Sequence, residues 1–104
     1  MTDDFQITKE LTGETLTVHI SGDLNVQTAQ TLDEELTKSL GGVTELILDF
    51  AGVGYISSAG LRILLKLEKA MRHQSGQMTL CNLNPAVKEV FSLAGFLKVM
   101  HIIE

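Results

Sequence analysis

Two adjacent hydroxyls at the junction of a strand and a helix are the residues of this chain best placed to do chemistry. They lie in the run Leu46-Ile47-Leu48-Asp49-Phe50-Ala51-Gly52-Val53-Gly54-Tyr55-Ile56-Ser57-Ser58-Ala59-Gly60-Leu61-Arg62. An apolar strand gives way to a glycine-bearing turn, and the two serines lead into an amphipathic helix. The first backbone N–H groups of such a helix have no internal partner. A phosphate carried there meets free donors and the positive end of the helix dipole. Phosphorylation is therefore a modification that the fold can bear at this point. Capping is the plainer use of the same hydroxyls, because serine is a preferred N-cap residue.

Other chemistries of strand-to-helix turns fit less well. A nucleophile elbow requires G-x-S-x-G, and here Ile56 stands where the first glycine should be. His19, His73 and His101 are scattered and have no evident acid partner, which argues against a hydrolase triad. A phosphate-cradling P-loop needs G-x-x-x-x-G-K-[ST], whereas Gly60 is followed by Leu61-Arg62. Asp49 ends a strand, as the phosphorylated aspartate of a receiver domain does, but the first strand brings no acidic pair to hold a divalent metal. Asp49 is instead expected to accept hydrogen bonds from loop N–H groups. Neither the histidines nor Cys81 fall at metal-ligand spacing. No catalytic residue, metal or cofactor is expected.

The 104 residues suffice for one domain spanning 1–104. Hydrophobic residues at 44% and charged residues at 20% fit an ordinary globular domain. Cys81 is the only cysteine, so no intrachain disulfide forms, and it reads as a small buried hydrophobe. No apolar run approaches the roughly 18 residues that a membrane span needs. The acidic start Met1-Thr2-Asp3-Asp4 lacks the basic and apolar regions of a secretory signal. A cytoplasmic location is expected. The net charge of −5 argues against nucleic acid as a direct partner.

The elements that must position the serines follow from periodicity. Residues 5–9 and 15–21 read as strands around a Thr12-Gly13 turn, with Leu16, Val18 and Ile20 facing inward. His19 then falls on the polar, solvated face. Residues 22–25 form a loop. Residues 27–40 read as a helix with Ala29, Leu32, Leu36 and Leu40 on one stripe, ended by Gly41-Gly42. The apolar run 45–50 has the signature of a strand covered on both faces. Ser57 or Ser58 caps a helix reaching about His73, whose polar strip of Arg62, Lys66, Lys69 and either Arg72 or His73 is expected to be solvated. Ser75-Gly76 turns into a strand over 77–83. Asn84-Pro85 opens a short helix that Gly95 stops, and 97–103 reads as a last strand. The order β-β-α-β-α-β-α-β predicts an α/β layer with a mixed, largely parallel sheet.

Several of these residues recur in order in a known family. Gly22-Asp23-Leu24 with Thr28-Ala29, Leu46-Ile47-Leu48-Asp49-Phe50, Tyr55-Ile56-Ser57-Ser58-Ala59-Gly60-Leu61 and Asn84-Pro85-Ala86-Val87 resemble the STAS domain. The likeness is to the bacterial anti-sigma factor antagonists. The resemblance implies a STAS-like fold and a role in partner switching. An unphosphorylated antagonist of that family binds an anti-sigma factor, often itself a serine-protein kinase, and so frees a sigma factor. A PP2C-type phosphatase reverses the phosphorylation. Position by position, the modified serine falls on Ser58, with Ser57 as second choice. Many members carry aspartate where this chain has Ser57 and Asn25. The partner-binding surface is expected to draw on Asp23, Leu24, Asn25, Ser57, Ser58, Ala59, Gly60 and Arg62. A non-catalytic subunit of a transport or scaffolding assembly is the alternative that the same fold allows.

Overall fold

The computed structural model describes residues 5–103; residues 1–4, the acidic start weighed above, and residue 104 lie outside it. Strands β1 (Gln6–Thr12) and β2 (Thr15–Ser21) form an antiparallel hairpin in which Thr12 faces Thr15. The turn is therefore Gly13-Glu14, one residue later than the sequence suggests. Gly13 has φ +63° there, a left-handed conformation that costs glycine least.

Helix α1 (Val26–Thr37) leads to β3 (Glu45–Gly52), α2 (Ser58–His73), β4 (Gln77–Cys81) and α3 (Pro85–Leu93). A single 3-10 turn, Phe96–Lys98, precedes the short β5 (His101–Ile103). The sheet order is β1-β2-β3-β4-β5, antiparallel at the first pair and parallel thereafter. This is the mixed, largely parallel α/β layer that the element order predicts.

Strands β1 and β3 run on to Thr12 and Gly52, past the expected 9 and 50, and three further boundaries differ from the pattern-based expectation for a local reason. Helix α1 stops at Thr37, because Leu40 is buried in the connecting loop rather than on a further helical turn. Strand β4 ends at Cys81, where Asn82 adopts φ +61°. Residues 97–103 are strand only over the last three, because Phe96 turns in toward Phe91, ring centroids 6.2 Å apart.

The helices meet the sheet in one continuous core. Leu16, Val18 and Ile20 of β2, Leu46, Leu48 and Phe50 of β3, and Met78 and Leu80 of β4 share it with Leu32, Leu64 and Phe91 of the helices. In a strand alternate residues face opposite sides, so the other face carries Thr15, Thr17, His19, Ile47, Asp49, Thr79 and Cys81. None of these belongs to the core. Strand β3 is therefore not covered on both faces as its apolar run suggests; its residues alternate between half-buried and buried as far as Phe50, and Ala51 and Gly52 are exposed. A strand of a one-sided layer can carry an isoleucine on its open face without a helix above it.

Phe91 is fully buried and packs edge-on against Phe50 at 6.3 Å and against Phe96. We expect Phe91→Ala to cost about 3–5 kcal/mol. Urea denaturation checks this as a lower midpoint at unchanged slope.

Candidate functional site

The loop 22–25 and the segment before α2 are joined into a single backbone surface. The Gly22 N–H donates to the Gly52 carbonyl at 2.9 Å, and the Leu24 N–H donates to Tyr55 at 2.9 Å. The Ser57 N–H returns a bond to the Leu24 carbonyl at 2.8 Å, closing a parallel bridge between Leu24 and Ile56. Gly22 makes the entry possible with φ +106°, a region that side chains rarely adopt. Leu24 and Ile56 both point into the core. Gly60 lies against them: a Cβ there would stand 2.8 Å from Ile56 Cγ1 and 3.2 Å from Leu24 Cβ.

Both helices that leave this surface are capped on it. Asn25 accepts from the Thr28 N–H at 2.9 Å, and the Thr28 hydroxyl accepts from the Asn25 N–H at 2.8 Å. That reciprocal box satisfies two N–H groups at the start of α1. The Thr28 hydroxyl also donates to the Asp23 carbonyl at 2.6 Å, tying the loop to its helix. On α2 the cap is Ser57, whose Oγ accepts from the Gly60 N–H at 3.2 Å. Aspartate is as good a cap as either residue. The two places where this chain departs from the resemblance thus exchange one cap for another.

The two serines have different tasks. Ser57 is half-buried and its hydroxyl is occupied by the cap. Ser58, the first residue of α2, is exposed, and its hydroxyl has no hydrogen-bond partner among the described residues. Asp23, Asn25 and Arg62 are exposed around the same end of the fold, and Ala59 is half-exposed. Leu24 and Gly60, expected on the surface, lie beneath it; both are buried, and they hold its shape.

Two residues that sequence reasoning missed join the surface. Val26 is 70% exposed at the first position of α1, and Tyr55 is 52% exposed beside the bridge. Their signal was faint. Val26 lies off the stripe of Ala29, Leu32 and Leu36, and Tyr55 precedes a buried isoleucine.

His19 is not simply solvated. Its Nδ1 lies 2.8 Å from the Asp49 carboxylate, and its Nε2 faces Glu10 at 3.6 Å rather than any hydroxyl. The other Asp49 oxygen accepts from the Ala51 N–H at 3.0 Å and the Asn82 amide at 2.9 Å. Asp49 therefore binds an N–H of its own strand rather than of a loop, and it also ties β3 to β2 and to the residue after β4 through the two side chains. Burial pushes its carboxyl up, but the bonds from Asn82, Ala51 and His19 outweigh that and hold it below its ordinary value. Cys81 is half-buried on the same open face; burial, then the Asp49 charge, raises its thiol. It is kept protonated, the unreactive form.

Among the described residues no group of three or more His, Cys, Asp or Glu is arranged to hold a metal ion. No helix among them is long and apolar enough to cross a membrane. Along α2, Lys66 is held by Asp33 at 3.0 Å and Arg72 by Glu68 at 2.7 Å, so much of the basic strip is paired rather than merely solvated.

Comparison with known proteins places this geometry in context. The STAS domain profile matches residues 6–104. BtrV of Bordetella bronchiseptica, assigned as an anti-sigma factor antagonist, is 38% identical over 84 residues, 80% of this chain and 72% of its own length. The chain is also similar in fold to solved structures of SpoIIAA, an anti-sigma factor antagonist. The unphosphorylated form aligns at TM-score 0.74 and 20% identity, covering 96% of this chain and 87% of that one. The phosphorylated form, a Bacillus cell fate determinant, aligns at 0.73 and 22% identity, covering 96% and 91%.

The distinct tasks of the serines are separable by stability. Ser57→Ala should cost about 1 kcal/mol through loss of the cap, whereas Ser58→Ala should stay within about 0.5 kcal/mol of the parent; chemical denaturation of both variants checks this. Asp49 supplies a pH signature. A carboxyl held down in the folded state stabilises above its unfolded value, and that contribution fades as pH falls through the folded value. The stability gap between the parent and Asp49→Asn should therefore be largest near neutrality. It should close below the ordinary aspartate value of 3.8, as thermal melts along a pH series would record.

Proposed function

The chain belongs to the STAS domain family and groups with its anti-sigma factor antagonists, and on that premise we propose that it is a phosphorylation-controlled partner switch. The unphosphorylated protein binds an anti-sigma factor that is also a serine-protein kinase, and a sigma factor is released. Phosphorylation at Ser58 weakens that binding, and a PP2C-type phosphatase restores it. The chain itself is non-catalytic and acts in the cytoplasm through protein partners, without direct contact to nucleic acid.

One observation carries this reading: the Ser58 hydroxyl is exposed and unbonded at the first position of a helix. In the transfer, Ser58 Oγ attacks the terminal phosphorus of ATP. The new O–P bond forms as the bond to the leaving ADP breaks, and the hydroxyl proton passes to a base on the kinase. Ser57 is the poorer target, because its oxygen already serves the Gly60 N–H.

The switch works by local charge. The phosphate brings about −1.5 to −2 charges at pH 7. At the start of α2 the free protein tolerates it, since the helix dipole favours an anion there by about 0.3–1 kcal/mol. Covered by a partner, the same group must shed its hydration without matching donors. A loss of about 3 kcal/mol weakens binding more than about 100-fold. Asp23, Asn25, Ala59 and Arg62 complete the docking surface around Ser58, with Val26 and Tyr55 as its apolar part.

Co-purification with anti-sigma kinases of the histidine-kinase fold, with intact-mass analysis before and after ATP, tests the proposal. Ser58→Ala should bind and gain no mass, and Ser58→Asp should bind at least about 100-fold more weakly. Stoichiometric labelling of Ser58→Ala would move the site to Ser57, and absence of binding by the parent would remove the switch altogether.

A further inference from the structure

We propose that Arg62 is the internal counter-ion of a phosphate on Ser58, so that the modified protein grips its own anion. The inference rests on reading Ser58 as the modified residue. What it adds is the fate of the phosphate when no partner is bound.

Four observations converge on Arg62. It stands one helical turn after Ser58 on α2, a spacing that brings side chains to the same face. The acidic member precedes the basic one, which is the more favourable orientation along a helix. Arg62 is exposed and has no ion-pair partner among the described residues, whereas Lys66 is engaged by Asp33 and Arg72 by Glu68. The first turn of α2 also carries no acidic residue that would compete for the guanidinium.

The two joined segments at this end of α2 hold no rival cation. The loop and segment packed against this end of α2, residues 22–25 and 53–57, contain one carboxylate, Asp23, and no lysine or arginine. Asp23 repels a phosphate, so an anion on Ser58 leans toward Arg62. The planar guanidinium can bond two phosphate oxygens at once through its fixed fork. The Gly60 N–H is already taken by the Ser57 cap. The N–H groups of Ser58 and Ala59 remain to share the load.

Arg62 then has two settings. With Ser58 unmodified, the guanidinium is free to meet a partner's carboxylate. With Ser58 phosphorylated, it is drawn inward and withdrawn from that partner. Phosphorylation would thus remove an attractive charge from the docking surface at the same moment as it adds a repulsive one.

The test places phosphoserine at position 58 during translation, so it depends on no kinase and stands or falls apart from the identity of the modifying enzyme. Phosphorus NMR follows the second ionisation of the phosphate in the parent, Arg62→Ala and Arg62→Lys, at low and high salt. At low salt the parent should be the stronger acid by about two-fold over Arg62→Ala. Arg62→Lys should recover most of that difference, and high salt should erase most of it. Identical curves for the parent and Arg62→Ala overturn the proposal. So does an Arg62→Lys curve that matches alanine, since position 62 would then act through something other than charge. Melts of the unphosphorylated variants check that the exposed substitution leaves the fold intact.

Discussion

The bridge between Leu24 and Ile56 is the constraint on which the rest of the structure depends. Two backbone hydrogen bonds, from Leu24 to Tyr55 and from Ser57 to Leu24, fix one loop against another at the carboxyl ends of β2 and β3. Both side chains of the bridge are buried, so it is held by apolar packing beneath and by paired amides above. Its close approach to α2 leaves no room for a side chain at position 60. Without it, two helix starts would hang from independent loops. With it, Asn25 and Ser57 cap two helices whose first residues share one surface.

That arrangement separates the scaffold from the exposed hydroxyl of Ser58. Leu24, Ile56 and Gly60 shape the surface from below, and Asn25, Thr28 and Ser57 satisfy the helix ends along its rim. Of the two serines, only Ser58 carries a hydroxyl with no structural duty among the described residues. A covalent anion there disturbs no existing bond. Because the first turn of α2 has no acidic residue, the positive end of the helix is not already neutralised. A switch built in this way can be local, since the electrostatics change while the packed interior does not.

The open face of the sheet follows a different logic. Its centre is stitched by His19 and Asp49, which connect neighbouring strands through side chains where no helix covers them. Asp49 looks like a reactive residue in the sequence because it ends a strand. Its bonds to Ala51, Asn82 and His19 show that it is engaged in holding strand ends together.

The sequence by itself determined the element types and their order, since hydrophobic period, cap residues and turn glycines are local signals. Strand β2 and the end of α2 fall where the pattern puts them, and Ser57-Ser58 at the helix start and Asn84-Pro85 are legible from residue type alone. The resemblance of the motifs pointed to one serine, but a pair of identical hydroxyls cannot be told apart by composition. Tertiary structure decided which of them caps. Which serine caps depends on where the backbone turns, and the turn is set by the bridge to Leu24, more than thirty residues away in the chain. For the same reason only the fold could bury Leu24 and Gly60, expose Val26 and Tyr55, and leave β3 open on one face. Burial is a property of what lies opposite a residue, and nothing opposite is written in the neighbouring sequence.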